Sequence, residues 1–269
     1  MENYIHGYDP EEQGRLYRQA RFLEPVVYET IDLTGIRSLL EVGCGVGAQT
    51  EILLGRTPGL RITGVDLAAA QVARAREHFE KLPVLRERCE FRQMDATKLE
   101  FGADTKFDGA FICWLLEHAP DPLAILAEIR RVLRPGGRVM LTEVLNHTLF
   151  LSPPSPALKL YWDRYNALQE RMGGDPFVGA RLGTLLDRAG FQQIQILPRV
   201  FYYDRRVPEK RAAMLDYWIE LLLSGADQLE TAGEIASSQI EDLQREMAAA
   251  KKDPNAVFFY TFVQAFAVA

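Results

Sequence analysis

Cysteine is scarce in this chain of 269 residues: Cys44, Cys89 and Cys113 are all there is. The number is odd and no C-x-x-C pair occurs, so a disulfide-stapled scaffold is excluded and free thiols in a reducing compartment are expected. Histidine is nearly as sparse. His6, His78, His118 and His147 are scattered without zinc-ligand spacing, and no metal is expected. Apolar runs are too short and too interrupted to span a bilayer, so no membrane partner is expected. Positive charge is also in deficit, with 31 Lys and Arg against 37 Asp and Glu and a net charge of −6. Without a basic field to gather phosphates, nucleic acid is not an expected partner. Met1-Glu2-Asn3-Tyr4 lacks the basic and apolar regions of a secretory leader, and a cytoplasmic location is the expectation. Internal repeats and low-complexity tracts are lacking too, and nothing in the sequence speaks to oligomeric state.

What is present reads as a globular enzyme, with 48% hydrophobic and 25% charged residues. A helical pattern after residue 10 puts Leu16, Ala20, Leu23 and Val27 on one face, and Pro25 is expected to kink it or to start a second helix. Apolar runs at 37–42, 61–66, 89–94, 107–113 and 138–145 read as strands. Helical patterns separate them, with Val72, Ala75 and Phe79 marking one. Another is opened by Asp121-Pro122 and stopped by Pro135-Gly136-Gly137. This alternation predicts a parallel sheet with right-handed crossovers, an α/β fold with helices on both faces. Further helices are expected at 158–172, 182–189, 209–224 and 226–251, the last with a stripe of Leu229, Ala236, Ile240, Leu243 and Met247. Strands are expected at 192–203 and 257–263, so the last two strands are interrupted by about fifty mostly helical residues.

The chemistry gathers at Glu41-Val42-Gly43-Cys44-Gly45-Val46-Gly47, which follows a strand and precedes a helix. Glycines there permit a tight turn and close approach of a ligand to the backbone, and helix-terminal amides can face an anionic group. Asp66 ends the second strand, where a carboxylate can accept two hydrogen bonds from a ribose diol. Asp95-Ala96 follows the third, and Leu133-Arg134-Pro135-Gly136-Gly137 leads into the fifth. In order, these motifs resemble a class I S-adenosylmethionine-dependent methyltransferase over about residues 37–145.

The resemblance implies a Rossmann-like, seven-stranded, mostly parallel sheet with an antiparallel last strand. It implies S-adenosyl-L-methionine as cofactor and methyl transfer to an acceptor, here expected to be a small molecule. Gly43, Cys44 and Gly45 would line the methionine part, Glu41 would help hold its amino group, and Gln49 would contact the same moiety. Asp66, with Leu67 beside it, would take the ribose hydroxyls. Asp95 would accept from the adenine amino group while the Ala96 amide meets the ring. Cys113 and Trp114 would flank the methionine end and the acceptor pocket.

Several residues carry two readings. Trp114, Tyr161 and Tyr165 line an acceptor pocket, or they are core. Tyr161 and Tyr165, with Trp162, would then only glue the insert down. His118 is a general base for the acceptor, or it holds its loop. Tyr4, Tyr8 and Tyr17 fold over the cofactor, or they pack the first helix. Arg15, Arg18 and Gln19 lie on the polar side of that helix, where one of them meets the cofactor carboxylate or all form a solvated face. Residues 1–34 are expected to form a helical cap on a methyltransferase domain at 35–269. Helical insertions are expected at about 152–175 and 208–254, the second a lid over the acceptor. Two alternatives remain open: a nicotinamide-dependent oxidoreductase, which shares the glycine turn and the ribose acid, and a protein that binds S-adenosylmethionine without catalysis.

Overall fold

The computed structural model describes residues 5–269. Tyr4, read as covering the cofactor or packing the first helix, lies outside them. The strands are β1 (Ser38–Val42), β2 (Arg61–Asp66), β3 (Cys89–Gln93), β4 (Phe107–Cys113), β5 (Leu133–Val144), β6 (Phe150–Ser152), β7 (Gln192–Tyr203) and β8 (Val257–Val268). The helices are α1 (Pro10–Val27), α2 (Ala48–Arg56), α3 (Ala69–Glu80), α4 (Pro83–Arg86), α5 (Pro122–Val132), α6 (Pro156–Arg171), α7 (Leu182–Arg188), α8 (Pro208–Ser224), α9 (Ala226–Thr231) and α10 (Ser237–Lys252).

The eight strands form one sheet in the order β3-β2-β1-β4-β5-β8, with β7 and β6 both pairing with β8. β8 pairs antiparallel with β5, β6 and β7, while the other neighbours are parallel. β8 is therefore the one reversed strand, as the resemblance implied. The expected seven strands become eight because β6 continues past the end of β5 along the same edge of β8, pairing Phe150–Ser152 with Phe259–Val257.

Both faces of the sheet are covered, so the central strands are buried on both sides rather than alternating between buried and exposed. On β1, Leu39 packs into the cluster under α1, α2 and α3, while Leu40 and Val42 pack with Leu126 and Ile129 of α5 and Leu185 of α7. The parallel order reverses direction at β1/β4, and ligands bind at such a switch point, outside the carboxyl ends of the strands. The glycine turn and the loop after β4 lie there.

Three local readings of the sequence are corrected. α1 runs unbroken through Pro25, because the lost N–H falls in its last turn and Tyr28 N still bonds to Glu24 O at 3.1 Å. β5 begins at Leu133, which pairs with Phe107 before the register shifts to Arg138 opposite Gly109. The Pro135-Gly136-Gly137 segment thus bulges from a strand edge, tied to the last residue by Gly136 N to Ala269 O (3.0 Å) and Ala269 N to Gly137 O (2.8 Å). The single helix expected at 226–251 is two. Gly233, at φ 71°, closes α9 with Gly233 N bonded to Glu230 O and Glu234 N to Leu229 O, a Schellman end. Ala236 is therefore the exposed cap of α10 and no part of a buried stripe.

The helical segment joining β7 to β8 meets α1 directly. Phe22 stacks on Tyr217 with ring centroids 5.1 Å apart, and Arg18 pairs with Glu220. Cap and insertion thus close together over the carboxyl end of the sheet.

Candidate active site

The glycine turn is built by tight backbone geometry. Gly43 N and Cys44 N both donate to Val65 O, at 2.8 and 3.0 Å, which locks the turn to the end of β2. Gly43 has φ 74°, and a Cβ there would stand 2.9 Å from the Leu115 side chain, so the loop after β4 can lie directly on the turn. Gly45 has φ 50° with open space where a Cβ would point, and it lines a cavity of about 270 Å³. The turn is braced from outside by Tyr17, whose hydroxyl donates to Val46 O and whose ring packs on His78 at 4.4 Å. Tyr17 thus packs α1 onto the turn rather than standing in the cavity wall, while Tyr8 does line the cavity.

Asp66 sits in the cavity wall beside Gly45. Its Oδ2 accepts from Gly45 N at 2.8 Å and its Oδ1 from Ala68 N at 2.9 Å. Burial raises its pKa, and these amide bonds oppose the rise. Leu67, Gln49, Asp95 and Ala96 line the same cavity. Asp95 is exposed and Thr97 holds its carboxyl below the usual range, with Oδ1 accepting from Thr97 Oγ1 at 2.7 Å and Thr97 N at 2.9 Å. Glu41 is 2% exposed and lies behind the turn instead of in the cavity wall, where it accepts a hydrogen bond from Thr50 Oγ1. Its Oε1 has no partner among the described residues, and burial pushes the carboxyl up to about 8.

The last residue of β4, Cys113, and the loop after it, through Trp114 and His118, line the cavity. Trp114 has φ 54°, a left-handed conformation that costs a bulky residue about 1–3 kcal/mol and clusters at functional sites. The loop is held from below by Glu143, fully buried on β5, whose Oε1 accepts from Leu115 N (3.1 Å) and Leu116 N (2.7 Å). Burial, and next the nearby Glu117, push the Glu143 carboxyl well above its usual range. Glu117 is buried and accepts from Gln169 Nε2 at 2.9 Å. Burial lowers the pKa of His118, with Glu117 opposing. His147 lies outside this group, stacked on Phe177 at 3.5 Å.

Beyond this loop the cavity becomes aromatic, walled by Trp162 and Tyr165 of α6, Tyr217 and Trp218 of α8, Phe201 of β7 and Tyr260 of β8. Tyr165 therefore stands where an acceptor pocket was expected. Tyr161 does not. It faces away from the cavity, buried, with its hydroxyl given to Leu222 O, and it fastens α6 to α8. The i, i+4 spacing of Tyr161 and Tyr165 did not separate them, because both sides of α6 are buried. Trp162 does both jobs: its Nε1 donates to Asn146 O at 2.9 Å while its ring lines the cavity. Trp218 Nε1, by contrast, is buried with no partner among the described residues.

His6 carried no functional signal in the sequence, whereas Arg15 and Gln19 were candidates for the cofactor carboxylate. His6 lines the cavity with its ring centroid 6.5 Å from that of His118. Arg15, expected on a polar helix side, is 4% exposed, forks onto Glu12 at 2.6 and 2.7 Å, and lines the cavity with Gln19. Arg18 alone of that trio is exposed. Among the described residues, no group of His, Cys, Asp or Glu is arranged to hold a metal ion, and no helix is long and apolar enough to cross a membrane.

Residues 40–141 match the family model described as a methyltransferase domain. An O-methyltransferase of Penicillium expansum is 34% identical over 160 residues, 59% of this chain and 53% of that protein. The 27-O-demethylrifamycin SV methyltransferase of Amycolatopsis mediterranei is 33% identical over 156 residues, 58% of this chain and 54% of that protein. The chain thus spans about half the length of these curated relatives. Among solved structures, phosphoethanolamine N-methyltransferase 2 of Haemonchus contortus, in complex with phosphomonomethylethanolamine and S-adenosylhomocysteine, aligns with a TM-score of 0.60. It covers 100% of this chain and 58% of its own length at 18% identity, a likeness of fold.

Proposed function

We propose that the chain, whose residues 40–141 match the methyltransferase-domain model, is a class I S-adenosylmethionine-dependent methyltransferase that transfers a methyl group from S-adenosyl-L-methionine to a hydroxylated small molecule. One observation carries the reading: a single cavity runs from the Gly45 turn, Asp66 and Asp95 into an aromatic chamber walled by Trp162, Tyr165 and Trp218. The residues fit the cofactor on their own chemistry. Asp66 presents a carboxylate beside an open glycine backbone, and Glu41 Oε1 is a buried carboxyl oxygen with no partner among the described residues. Asp66 would hold the ribose diol, Asp95 and the Ala96 amide the adenine, and the Gly43–Gly45 backbone the methionine end, with Glu41 acting from behind the turn.

When bound, the sulfonium supplies an activated methyl group that needs no covalent enzyme intermediate. The protein's work is placement and exclusion of water. Trp114, whose backbone N–H donates to Thr142 O at 2.9 Å, lines the cavity and would stand beside the methionine end and the acceptor. Residues of α1 and α8 line the chamber, so the acceptor would meet the methyl group among apolar rings. The likeness to O-methylating relatives supports an oxygen acceptor. The test is mass spectrometry of ligand released from purified protein, with calorimetry against S-adenosylhomocysteine. S-adenosylmethionine or its demethylated product supports the reading; a nicotinamide dinucleotide overturns it. Cofactor binding with no transfer to any hydroxylated compound would identify a non-catalytic binder.

A further inference from the structure

Two of the rings that wall the acceptor chamber have their polar atoms tied back into the protein. Trp162 Nε1 donates to Asn146 O at 2.9 Å, and Tyr260 Oη donates to Asn146 Oδ1 at 2.8 Å. Asn146 is itself buried just past β5 and donates to Asn166 Oδ1 at 2.8 Å, so both handles are held by one fixed side chain. Trp218 Nε1 has no partner among the described residues, but it is sealed from the cavity. Tyr217 of α8 is different. It lines the cavity, and its hydroxyl makes no hydrogen bond among the described residues. Unlike Trp218 Nε1, its oxygen is not closed off by neighbouring atoms. The ring is held by Phe22 of α1, with centroids 5.1 Å apart and planes 23° from parallel. Burial pushes the Tyr217 phenol up, Arg15 opposes the rise, and Glu117 and Cys113 add to it. The hydroxyl therefore keeps its hydrogen, and it lies close enough to the end of β4 and the loop after it to feel their charges.

We propose that Tyr217 selects the acceptor: its hydroxyl donates a hydrogen bond to a second oxygen on a flat aromatic ring, beside the hydroxyl that takes the methyl group. The inference rests on the methyl-transfer reading and names its acceptor class, an aromatic diol or a ring hydroxyl next to a carbonyl. The walls favour a planar body. Trp162 meets Trp218 edge-on with centroids 5.3 Å apart, and Trp218 meets Tyr260 edge-on at 4.8 Å. Rings locked in this way offer fixed faces and edges to another ring. Arg15 in the wall forks onto Glu12 at 2.6 and 2.7 Å, and the two charges offset, which suits a neutral acceptor. The Tyr217 donor fits an oxygen beside the reacting one. A hydrogen bond given to the reacting oxygen itself would draw on the lone pair that must attack the methyl carbon. An acceptor with no second oxygen would cover the Tyr217 hydroxyl and leave it unpaired, which is the less favourable state for a buried donor.

The test is calorimetry on the full chain saturated with S-adenosylhomocysteine, with 2,3-dihydroxynaphthalene and 2-naphthol as probes. The two share one planar body and differ by one oxygen. The diol should bind the wild type about tenfold more tightly, and Tyr217→Phe should shrink that ratio to within about twofold of unity. Phenylalanine keeps the ring against Phe22, so a purely packing role would leave the ratio standing. A hydroxyl that served the reacting oxygen would weaken both probes alike and leave it standing too. Either result overturns the proposal. So does a wild type that binds the two probes equally, or one that binds S-adenosylhomocysteine and neither probe. A wild type that binds no S-adenosylhomocysteine fails the methyl-transfer reading itself, and the inference falls with it.

Discussion

Replacing Asp66 by alanine should separate its two tasks. In the free protein its oxygens accept from Gly45 N at 2.8 Å and Ala68 N at 2.9 Å. With the carboxylate gone, both amides lose a charged partner. Bonds to charged groups contribute about 1.5–3 kcal/mol each, and water entering from the adjoining cavity recovers part of that, so the free protein should lose about 1–3 kcal/mol of stability. The cofactor loses more, because both ribose hydroxyls lose a charge-assisted acceptor: about 3–6 kcal/mol, or an affinity drop of a hundredfold at least. Chemical denaturation of the free protein measures the first quantity, and calorimetry with S-adenosylhomocysteine the second. A folded Asp66→Ala protein that binds within about threefold of wild type would refute the assignment of Asp66 to the ribose. A normal affinity with reduced stability would leave Asp66 as a brace of the glycine turn alone.

Asp95→Ala should narrow the preference for adenine over hypoxanthine in the cofactor, measured by competition between the two analogues; undiminished discrimination would place adenine recognition elsewhere. Glu41, raised from its ordinary 4.5 to about 8, favours folding when protonated, so its contribution is full below pH 4.5 and is lost as pH rises to about 8. Glu41→Gln should flatten the stability profile across that window in denaturation experiments, and an unchanged slope would reject the buried, protonated carboxyl. Trp114→Gly should be more stable than Trp114→Ala by about 1 kcal/mol, because only glycine sheds the cost of φ 54°, while both weaken acceptor binding. Hydrogen exchange in α8 and α9, around Trp218 to Leu229, should slow most when an acceptor joins the cofactor; protection indifferent to both ligands would make the insertion a brace.

The alternation of strands and helices, the glycine turn and the two strand-end acids were legible in the sequence because each rests on neighbours along the chain. Strand periodicity, cap residues and turn glycines act over a few positions, and they place Gly45, Asp66 and Asp95 whatever else the molecule does. The break at Gly233 was legible in principle, as a lone glycine inside a helical pattern. The eighth strand was not, because a three-residue strand exists only through its pairing with β8. The same limit divides the candidate site. Tyr161 and Tyr165 are equivalent on a helical wheel, yet α8 gives Tyr161 a carbonyl to bind, while His6, 159 residues distant, meets Tyr165. Arg15 reads as a solvated helix residue until the cap folds over the cavity and buries it. Side-chain roles of this kind depend on contacts between residues far apart in sequence, and only the closed tertiary structure brings those partners within hydrogen-bond reach.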